Sequence, residues 1–213
     1  MAGLNIVIVD YQAGNLRSVQ KALERSGAQA AITSDERVIK SADALVFPGQ
    51  GACDSSMRHL REHDLVEPIK AFIRSGRPFF GVCLGLQLLL EGSDEGVEPG
   101  LGILKGRVRR LPDGLKIPHM GWNQVKLLKG HPVLEGVPDG SNFYFVHSYY
   151  ADPDDRSVVA GVTDYGVEFC SVAAWENVIA VQFHPEKSGE NGLKLYENFV
   201  RLVKSAPTQA AWR

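Results

Sequence analysis

The sequence predicts an α/β fold, with an open and mostly parallel sheet, helices on both faces and antiparallel strands appended to it. Over roughly the first 90 residues, short unbroken apolar runs alternate with stretches of helical periodicity, which is typical of parallel strands joined by helices. After about residue 105, short segments with alternating apolar and polar residues take over, as expected of antiparallel ribbons. Glycine supplies 22 of the 213 residues, above the usual ~7%, and tight βα turns would use it.

The first strand is predicted at residues 5–9, because Asn-Ile-Val-Ile-Val shows no alternation and suits a strand buried on both faces. A helix follows at 15–26, where Leu16, Val19 and Leu23 share one face and a glycine ends the pattern. By the same criteria, the other elements of this half are strands at 28–33, 43–47 and 77–82, a short helix capped by Ser34, and helices at 54–62, 65–75 and 84–91.

The second half contains shorter strands and one long helix. The helix is predicted at 191–204, and residues 205–213 are expected to form a frayed tail. We therefore expect a single domain, residues 1–204, of the flavodoxin-like type. Its further strands are predicted at 107–111, 123–128, 143–147, 157–162, 169–175 and 178–183.

Composition excludes several function classes. Hydrophobic residues make up 44% of the chain and charged residues 23%, and the net charge is −2, so a nucleic-acid partner is not expected. No apolar run approaches the ~18 residues of a membrane span, and the N-terminus lacks the pattern of a signal peptide. The three cysteines show no paired spacing, and a cytoplasmic location is expected. No metal-ligand spacing or phosphate-binding glycine motif occurs, so no metal or cofactor is expected.

Cys83 is the candidate nucleophile. It lies between Gly81 and Gly85, where a predicted buried strand meets a predicted helix, which is the pattern of a nucleophile elbow with cysteine in place of serine. A strained turn there projects the side chain away from the sheet, and the unpaired N–H groups of the helix N-terminus favour a thiolate. Cys170, by contrast, is expected to be a core residue.

His184 and Glu186 are the candidate base and its orienting group. They follow a predicted strand, and the carboxyl ends of strands are where open α/β sheets hold their sites. His184 can take the thiol proton and return it to a leaving amine, and Glu186 can hold the imidazole tautomer. His147 is expected to pack within its strand and form a hydrogen bond.

An oxyanion hole is predicted from the loop after the third strand. Gly49 and Gly51 flank Gln50 there, and glycines allow a backbone N–H to turn towards a ligand. The second donor is expected to be the N–H of Leu84, directly after the nucleophile.

These residues together resemble the triad-type (class I) glutamine amidotransferases, which hydrolyse the glutamine side-chain amide and pass ammonia to a synthase. The motifs at 81–87 and 184–186 carry the resemblance, which spans about residues 5–203. Within the family, the motifs at 10–15, 118–123 and 145–149 are similar to glutaminase subunits of imidazole glycerol phosphate synthase. That likeness implies a (β/α)₈-barrel cyclase as partner in a heterodimer of histidine biosynthesis, which makes imidazole glycerol phosphate and an aminoimidazole carboxamide ribonucleotide.

The resemblance also implies how glutamine is bound. Gln87 and Glu95 would hold its α-amino and α-carboxylate end, and Ser148 and Tyr149 would contribute backbone contacts. This sequence departs from similar sequences in the same region. Gln50 stands where an apolar residue is usual, and Cys53 stands where an aromatic residue is usual.

Four residues are candidates for the partner interface. Trp122 and Tyr144 are either ordinary core aromatics or, with Asn15 and Lys187, the border of the mouth of the active site. Aromatic residues with few charges favour the centre of an interface.

Three other functions remain to be distinguished. One is a glutaminase for another synthase, such as the pyridoxal phosphate synthase, which the 118–123 motif disfavours. A cysteine peptidase or DJ-1-like protein of the same architecture is disfavoured by Gln87 and by the His-x-Glu spacing. A non-catalytic binding module is expected to lack the nucleophile.

Overall fold

The chain folds around one large mixed sheet. The structure is a computed structural model that describes residues 4–12 and 14–205. Within them the sheet has 12 strands: β1 (Ile6–Val9), β2 (Ala30–Thr33), β3 (Ala44–Gly49), β4 (Phe79–Cys83), β5 (Gly92–Ser93), β6 (Gly106–Arg110), β7 (His119–Leu127), β8 (Ser141–His147), β9 (Tyr149–Pro153), β10 (Val159–Asp164), β11 (Glu168–Trp175) and β12 (Val178–Val181). The α-helices are α1 (Leu16–Arg25), α2 (Glu36–Ser41), α3 (Cys53–Glu62), α4 (Val66–Arg74), α5 (Leu84–Gln87) and α6 (Gly189–Ser205), and short 3₁₀ turns lie at Pro132–Leu134, Arg156–Val158 and Pro185–Lys187.

The centre of the sheet is parallel and its far side is antiparallel. Strands β2, β1, β3, β4 and β12 pair in parallel in that order. The sheet then continues antiparallel through β11, β10, β7 and β8. Strands β9, β6 and β5 branch from β11. The predicted fold class, a mostly parallel α/β sheet with appended antiparallel strands, is confirmed.

Both faces of the parallel strands are buried under helices. In β1, Ile6 and Ile8 face one apolar cluster and Val7 faces the other, and all are fully buried. Helices α1 and α6 contribute to the first cluster, whereas α3 and α4 contribute to the second. This double burial explains why these strands read as unbroken apolar runs in the sequence.

The parallel order brings three loops to one edge. Because β3, β4 and β12 are neighbours, the chain leaves their carboxyl ends side by side. Gly49 pairs with Cys83, and Val82 pairs with Val181. The predicted oxyanion loop, nucleophile and base therefore emerge next to one another.

The helix predicted at 84–91 is wrong in its length. Helix α5 ends at Gln87. The carbonyls of Leu88, Leu89 and Leu90 accept hydrogen bonds from backbone N–H groups of residues 101–104 instead of continuing the helix. Hydrogen bonds from a later segment of the chain thus replace those of a further helical turn.

Other element boundaries also differ from the prediction. Asp35, not Ser34, caps α2, because its Oδ1 accepts a hydrogen bond of 2.8 Å from Arg37 N. Strand β7 begins four residues before the predicted start, since its ladder with β8 reaches the pair His119 and His147. Strands β5 and β9 were not predicted, and α6 extends through Ser205. Of the tail predicted at 205–213, Ser205 instead ends α6, and residues 206–213 lie outside the described residues.

We predict that Gly85→Ala destabilises the fold. A Cβ at this position would overlap the carbonyl oxygen of Phe47, a backbone atom that cannot rotate away. Overpacking of this kind costs roughly 1–3 kcal/mol. Urea unfolding followed by circular dichroism measures the loss.

Gly130→Ala is the matched control for Gly85→Ala, because a Cβ at Gly130 meets nothing within 4 Å. Equal unfolding midpoints for the two variants would contradict the packing argument.

Candidate active site

Cys83 lies on a strained turn between β4 and α5. Its φ is 55° and its ψ is −107°, a region that non-glycine residues rarely adopt. A Cβ at Gly81 would lie 2.9 Å from Ala180 Cβ, and one at Gly85 would overlap the Phe47 carbonyl. The two glycines therefore let neighbouring strands pack tightly behind the turn, as the elbow pattern requires.

His184 and Glu186 form a buried pair at the end of β12. His184 Nδ1 lies 2.8 Å from Glu186 Oε1, and both side chains are 2% exposed. Because an ionised carboxylate only accepts hydrogen bonds, Nδ1 carries the proton and Nε2 is the basic nitrogen. Nε2 has no hydrogen-bond partner among the described residues.

The charge state of His184 depends on its neighbours. Burial alone would lower the pKa of His184, but the Cys83 thiolate and the Glu186 carboxylate outweigh it and raise the pKa to about 10. His184 is therefore able to carry an imidazolium charge at neutral pH, next to the Cys83 sulfur.

The first residues of the predicted oxyanion loop are fixed by contacts, whereas its last glycine has open space around it. Gly49 is the last residue of β3, and the Tyr11 hydroxyl donates a 2.8 Å hydrogen bond to Pro48 O just before it. A Cβ at Gly49 would overlap that hydroxyl. Gly51 has a φ of 106° and open space around it. The role of Tyr11 was not predicted from the sequence, although its place two residues after β1 puts it at the same edge of the sheet.

A cavity of about 360 Å³ lies over the nucleophile. This volume is within the range of small-molecule sites. It brings together the predicted nucleophile, most of the predicted oxyanion residues and all four predicted glutamine-binding residues. The lining residues are Gln50, Gly51, Cys83, Leu84, Gln87, Glu95, Pro118, Val146, His147, Ser148, Tyr149 and Lys187.

Gln87 and Glu95 reach the cavity from α5 and from the loop after β5. Gln87 Nε2 donates to Tyr149 O at 2.8 Å and to Gln182 Oε1 at 3.0 Å, and Gln87 Oε1 accepts from the Cys53 thiol at 3.7 Å. Glu95 Oε2 accepts a 2.7 Å hydrogen bond from Cys53 N. Each residue keeps oxygen lone pairs for a ligand, so a ligand ammonium group is a suitable partner for both.

The start of α3 holds the loop that carries Glu95. Asp54 accepts hydrogen bonds from Val97 N at 3.1 Å and from Glu98 N at 3.0 Å. A side chain at Gly96 would collide with the Asp54 carboxylate. Sequence analysis missed this role of Asp54, which depends on a contact more than 40 residues away in the chain.

Two histidines support the wall of the cavity. His147 Nδ1 lies 2.8 Å from Tyr149 O, which confirms the hydrogen bond expected for His147. Its Nε2 lies 3.0 Å from His119 Nδ1. Burial lowers the pKa of His119 to about 4 and that of His147 to about 3, so both are neutral at pH 7.

Three of the four candidate interface residues lie against one another, and one of them, Lys187, lines the cavity. Trp122 is 58% exposed and contacts Tyr144 edge to face, with centroids 6.2 Å apart. Lys187 Nζ lies 5.8 Å from the centre of the Tyr144 ring. Trp122 is therefore not a core aromatic. Asn15 instead caps α1, because its Oδ1 accepts a 3.4 Å hydrogen bond from Ser18 N, and no hydrogen bond joins it to the other three among the described residues.

The other two cysteines differ from Cys83. Burial raises the pKa of Cys53 and that of Cys170 to about 12. Cys170 is 1% exposed and lies in the core, as predicted. Both thiols are thus protonated and shielded at neutral pH.

No group of three or more metal-ligating side chains suited to an ion occurs in residues 4–12 and 14–205. Over the same part of the chain, every helix is too short or too polar to cross a membrane.

A family model and curated sequences match nearly the whole chain. Residues 7–203 match the family model described as glutamine amidotransferase class-I. The imidazole glycerol phosphate synthase subunit HisH of Aquifex aeolicus is 52% identical over 207 residues, which cover 96% of this chain and all of that protein. The subunit of the same name from Dehalococcoides mccartyi strain CBDB1 is 50% identical over 199 residues, covering 93% of this chain and 97% of that protein.

Solved structures share the fold at low sequence identity. The structure of PurLQS from Thermotoga maritima aligns with a TM-score of 0.76 at 19% identity and covers 94% of this chain and 99% of that chain. The crystal structure of a glutamine amidotransferase from the same organism aligns with a TM-score of 0.65 at 14% identity, covering 96% of this chain and 85% of that chain.

We predict that His184→Ala slows alkylation of Cys83 by iodoacetamide at pH 6.5 by roughly 10-fold or more, because a neighbouring imidazolium favours the reactive thiolate and the variant lacks it. Labelling followed by mass spectrometry of each cysteine peptide, from pH 5.5 to 9.5, measures the profile.

Cys170→Ala serves as the control, since Cys170 is remote from the pair and its removal should leave the Cys83 profile unchanged. An identical profile in His184→Ala and the unaltered protein would show that the two residues are not paired.

Proposed function

The chain belongs to the class-I glutamine amidotransferase family, and we propose that Cys83, His184 and Glu186 are its catalytic triad. The observation that carries the proposal is a cysteine on a strained turn beside a buried His-Glu pair, all at one edge of the sheet. The presence of all three proposed triad residues disfavours a non-catalytic binding module. The family match disfavours a peptidase or DJ-1-like protein.

The reaction is hydrolysis of the glutamine side-chain amide. The Cys83 thiolate attacks the amide carbon, and the C=O electron pair moves onto oxygen. When the tetrahedral intermediate collapses, the C–N bond breaks and the His184 imidazolium gives its proton to the leaving ammonia. Neutral His184 then takes a proton from water, whose oxygen attacks the thioester to release glutamate and the thiolate.

Two backbone donors stabilise the intermediate. The Leu84 N–H is one, and an N–H of the loop Gly49–Gln50–Gly51 is the other. Glu186 keeps the imidazole in the tautomer with Nε2 free and stabilises the imidazolium.

Glutamine binds with its amide over Cys83 and its charged end towards Glu95. The carboxylate of Glu95 and the free lone pair of Gln87 Oε1 hold the α-ammonium group. Backbone of Ser148 and Tyr149 completes the wall on the other side, next to the histidine pair.

The protein is the glutaminase subunit of an imidazole glycerol phosphate synthase. Its relatives are about half identical to it over more than nine-tenths of the chain, and their names support this synthase over another. We infer that its partner is a (β/α)₈-barrel cyclase, which takes up the ammonia and forms imidazole glycerol phosphate and an aminoimidazole carboxamide ribonucleotide in the cytoplasm. The partner docks on Trp122, Tyr144 and Lys187 at the mouth of the cavity. Residues 1–204 act as one domain.

We predict that Cys83→Ala abolishes glutamine-dependent synthase activity and leaves ammonia-dependent activity intact. The thiolate is needed only to release ammonia, and its removal should cost several orders of magnitude in glutamine turnover. The assay compares the complex of the two subunits with glutamine and with a high concentration of an ammonium salt.

Cys170→Ala is the control in this assay, and it should retain both activities. If Cys83→Ala kept more than a few per cent of the glutamine-driven rate, Cys83 would not be the nucleophile.

We predict that the isolated chain hydrolyses glutamine poorly and that the cyclase with its ribonucleotide bound raises the rate roughly 10²–10³-fold, which is the cost of one missing oxyanion donor. The peptide between Gln50 and Gly51 can turn its N–H towards or away from the cavity, because Gly51 accepts either sign of φ. Docking shifts that equilibrium only as far as the partner binds the active form better. Steady-state assays of the lone chain, the complex and the complex with ligand measure the three rates.

Trp122→Ala should weaken this stimulation, whereas Leu128→Ala, which removes a 52% exposed side chain outside the docking face, should not. Equal rates in the three states would contradict control by the partner.

A further inference from the structure

Gln182 is a fully buried polar residue that touches the nucleophile. It lies one residue beyond β12 and two residues before His184, and its exposure is 0%. Its Nε2 lies 3.6 Å from Cys83 Sγ. Gln182 N also donates to Ser171 O at 2.9 Å, which ties this segment to the neighbouring strand.

The hydrogen bonds around Gln182 determine which end of its amide faces the sulfur. Tyr149 O can only accept, so the Gln87 atom that lies 2.8 Å from it must be the nitrogen. The second N–H of that nitrogen donates to Gln182 at 3.0 Å, so the Gln182 atom there must be the oxygen. The nitrogen of Gln182 is thereby directed at Cys83.

The thiolate of Cys83 needs such a donor. Cys83 is only 6% exposed, so solvent reaches its sulfur only from the cavity. Helix α5 has only four residues, so its dipole is smaller than that of the longer helix predicted from the sequence. Gln182 therefore supplies stabilisation that neither solvent nor a long helix provides.

We propose that Gln182 is a further catalytic residue, which donates an N–H to the Cys83 sulfur and stabilises the thiolate both before attack and as it leaves the thioester. The proposal rests on the proposed function, because it takes Cys83 as the nucleophile. Hydrogen bonds to a charged group are worth roughly a 10- to 100-fold change in an equilibrium. Loss of the donor should therefore move the thiolate population by about that factor.

Gln182→Met tests the donor, because it keeps the approximate shape of the side chain and removes both the nitrogen and the oxygen of its amide. We expect the half-maximal pH of Cys83 alkylation by iodoacetamide to rise by roughly 1–2 units, with a fall of roughly 10- to 100-fold in alkylation at pH 6.5 and in kcat. Gln182→Glu, which keeps an acceptor for Gln87 but places an oxygen at the sulfur, should do the same.

Asn198→Leu is the matched control. Asn198 is 2% exposed and its amide donates to Val133 O and Glu135 O, away from the cavity. Its replacement removes a buried amide and should destabilise the fold without changing the alkylation profile. A shift equal to that of Gln182→Met would make the effect one of stability and would overturn the proposal.

A different outcome would give Gln182 only a positioning role. If Gln182→Met raised KM for glutamine but left the pH profile of alkylation unchanged, the residue would act through Gln87 and the proposal would be wrong. If the Gln182 variants do not fold, the unaltered protein provides the test. NMR signals of the Gln182 side-chain amide should then shift with pH at the midpoint of Cys83 alkylation, and invariant signals would overturn the proposal.

A different set of results would show that the proposed function itself is wrong. If Cys83→Ala failed to abolish neutral-pH alkylation and glutamine hydrolysis, the nucleophile itself would be misassigned. If Cys83→Ala and His184→Ala behaved as expected and Gln182→Met matched the unaltered protein, only the role of Gln182 would be rejected.

Discussion

Parallel pairing of β3, β4 and β12 is the constraint on which the site depends. It brings the proposed oxyanion loop, nucleophile and base to one edge of the sheet from segments far apart in the chain. Because both faces of these strands are covered by apolar clusters, their register cannot slip without exposing buried side chains. The strand ends from which the proposed catalytic groups emerge are therefore as rigid as the core itself.

This rigidity makes the strained backbone of Cys83 tolerable. A residue with a positive φ persists only where its surroundings leave no alternative. Here β4 fixes the chain before Cys83, and the close approach of Gly85 to the Phe47 carbonyl fixes the chain after it. The strain is local, and many ordinary core contacts offset it.

The predicted site residues that the structure brings together at one edge of the sheet are those with local sequence signatures. Cys83 between two glycines at a strand-helix junction is such a case, and so is His-Pro-Glu after a buried strand. The length of α5 was not predictable, because backbone N–H groups of residues 101–104 donate hydrogen bonds to the carbonyls that a longer helix would use. Gln182 was missed for a similar reason. Its orientation follows from Gln87, which lies 95 residues away, although one polar residue in an otherwise apolar run was a signal in itself. Tyr11 owes its role to a contact 37 residues away, with Pro48.

The hydroxyl of Tyr11 has a thermodynamic consequence for the loop it touches. By holding the Pro48 carbonyl and excluding any side chain at Gly49, it confines backbone freedom to Gln50 and Gly51. Ordering a residue costs about 1–2 kcal/mol of conformational entropy, so ordering these two costs roughly 2–4 kcal/mol. Burying one aromatic side chain such as Trp122 under a partner yields a free energy of the same size, roughly 1.5–3 kcal/mol. Burial of one such ring therefore offsets the cost of ordering a loop of this length, whereas each further loop residue would require additional buried surface.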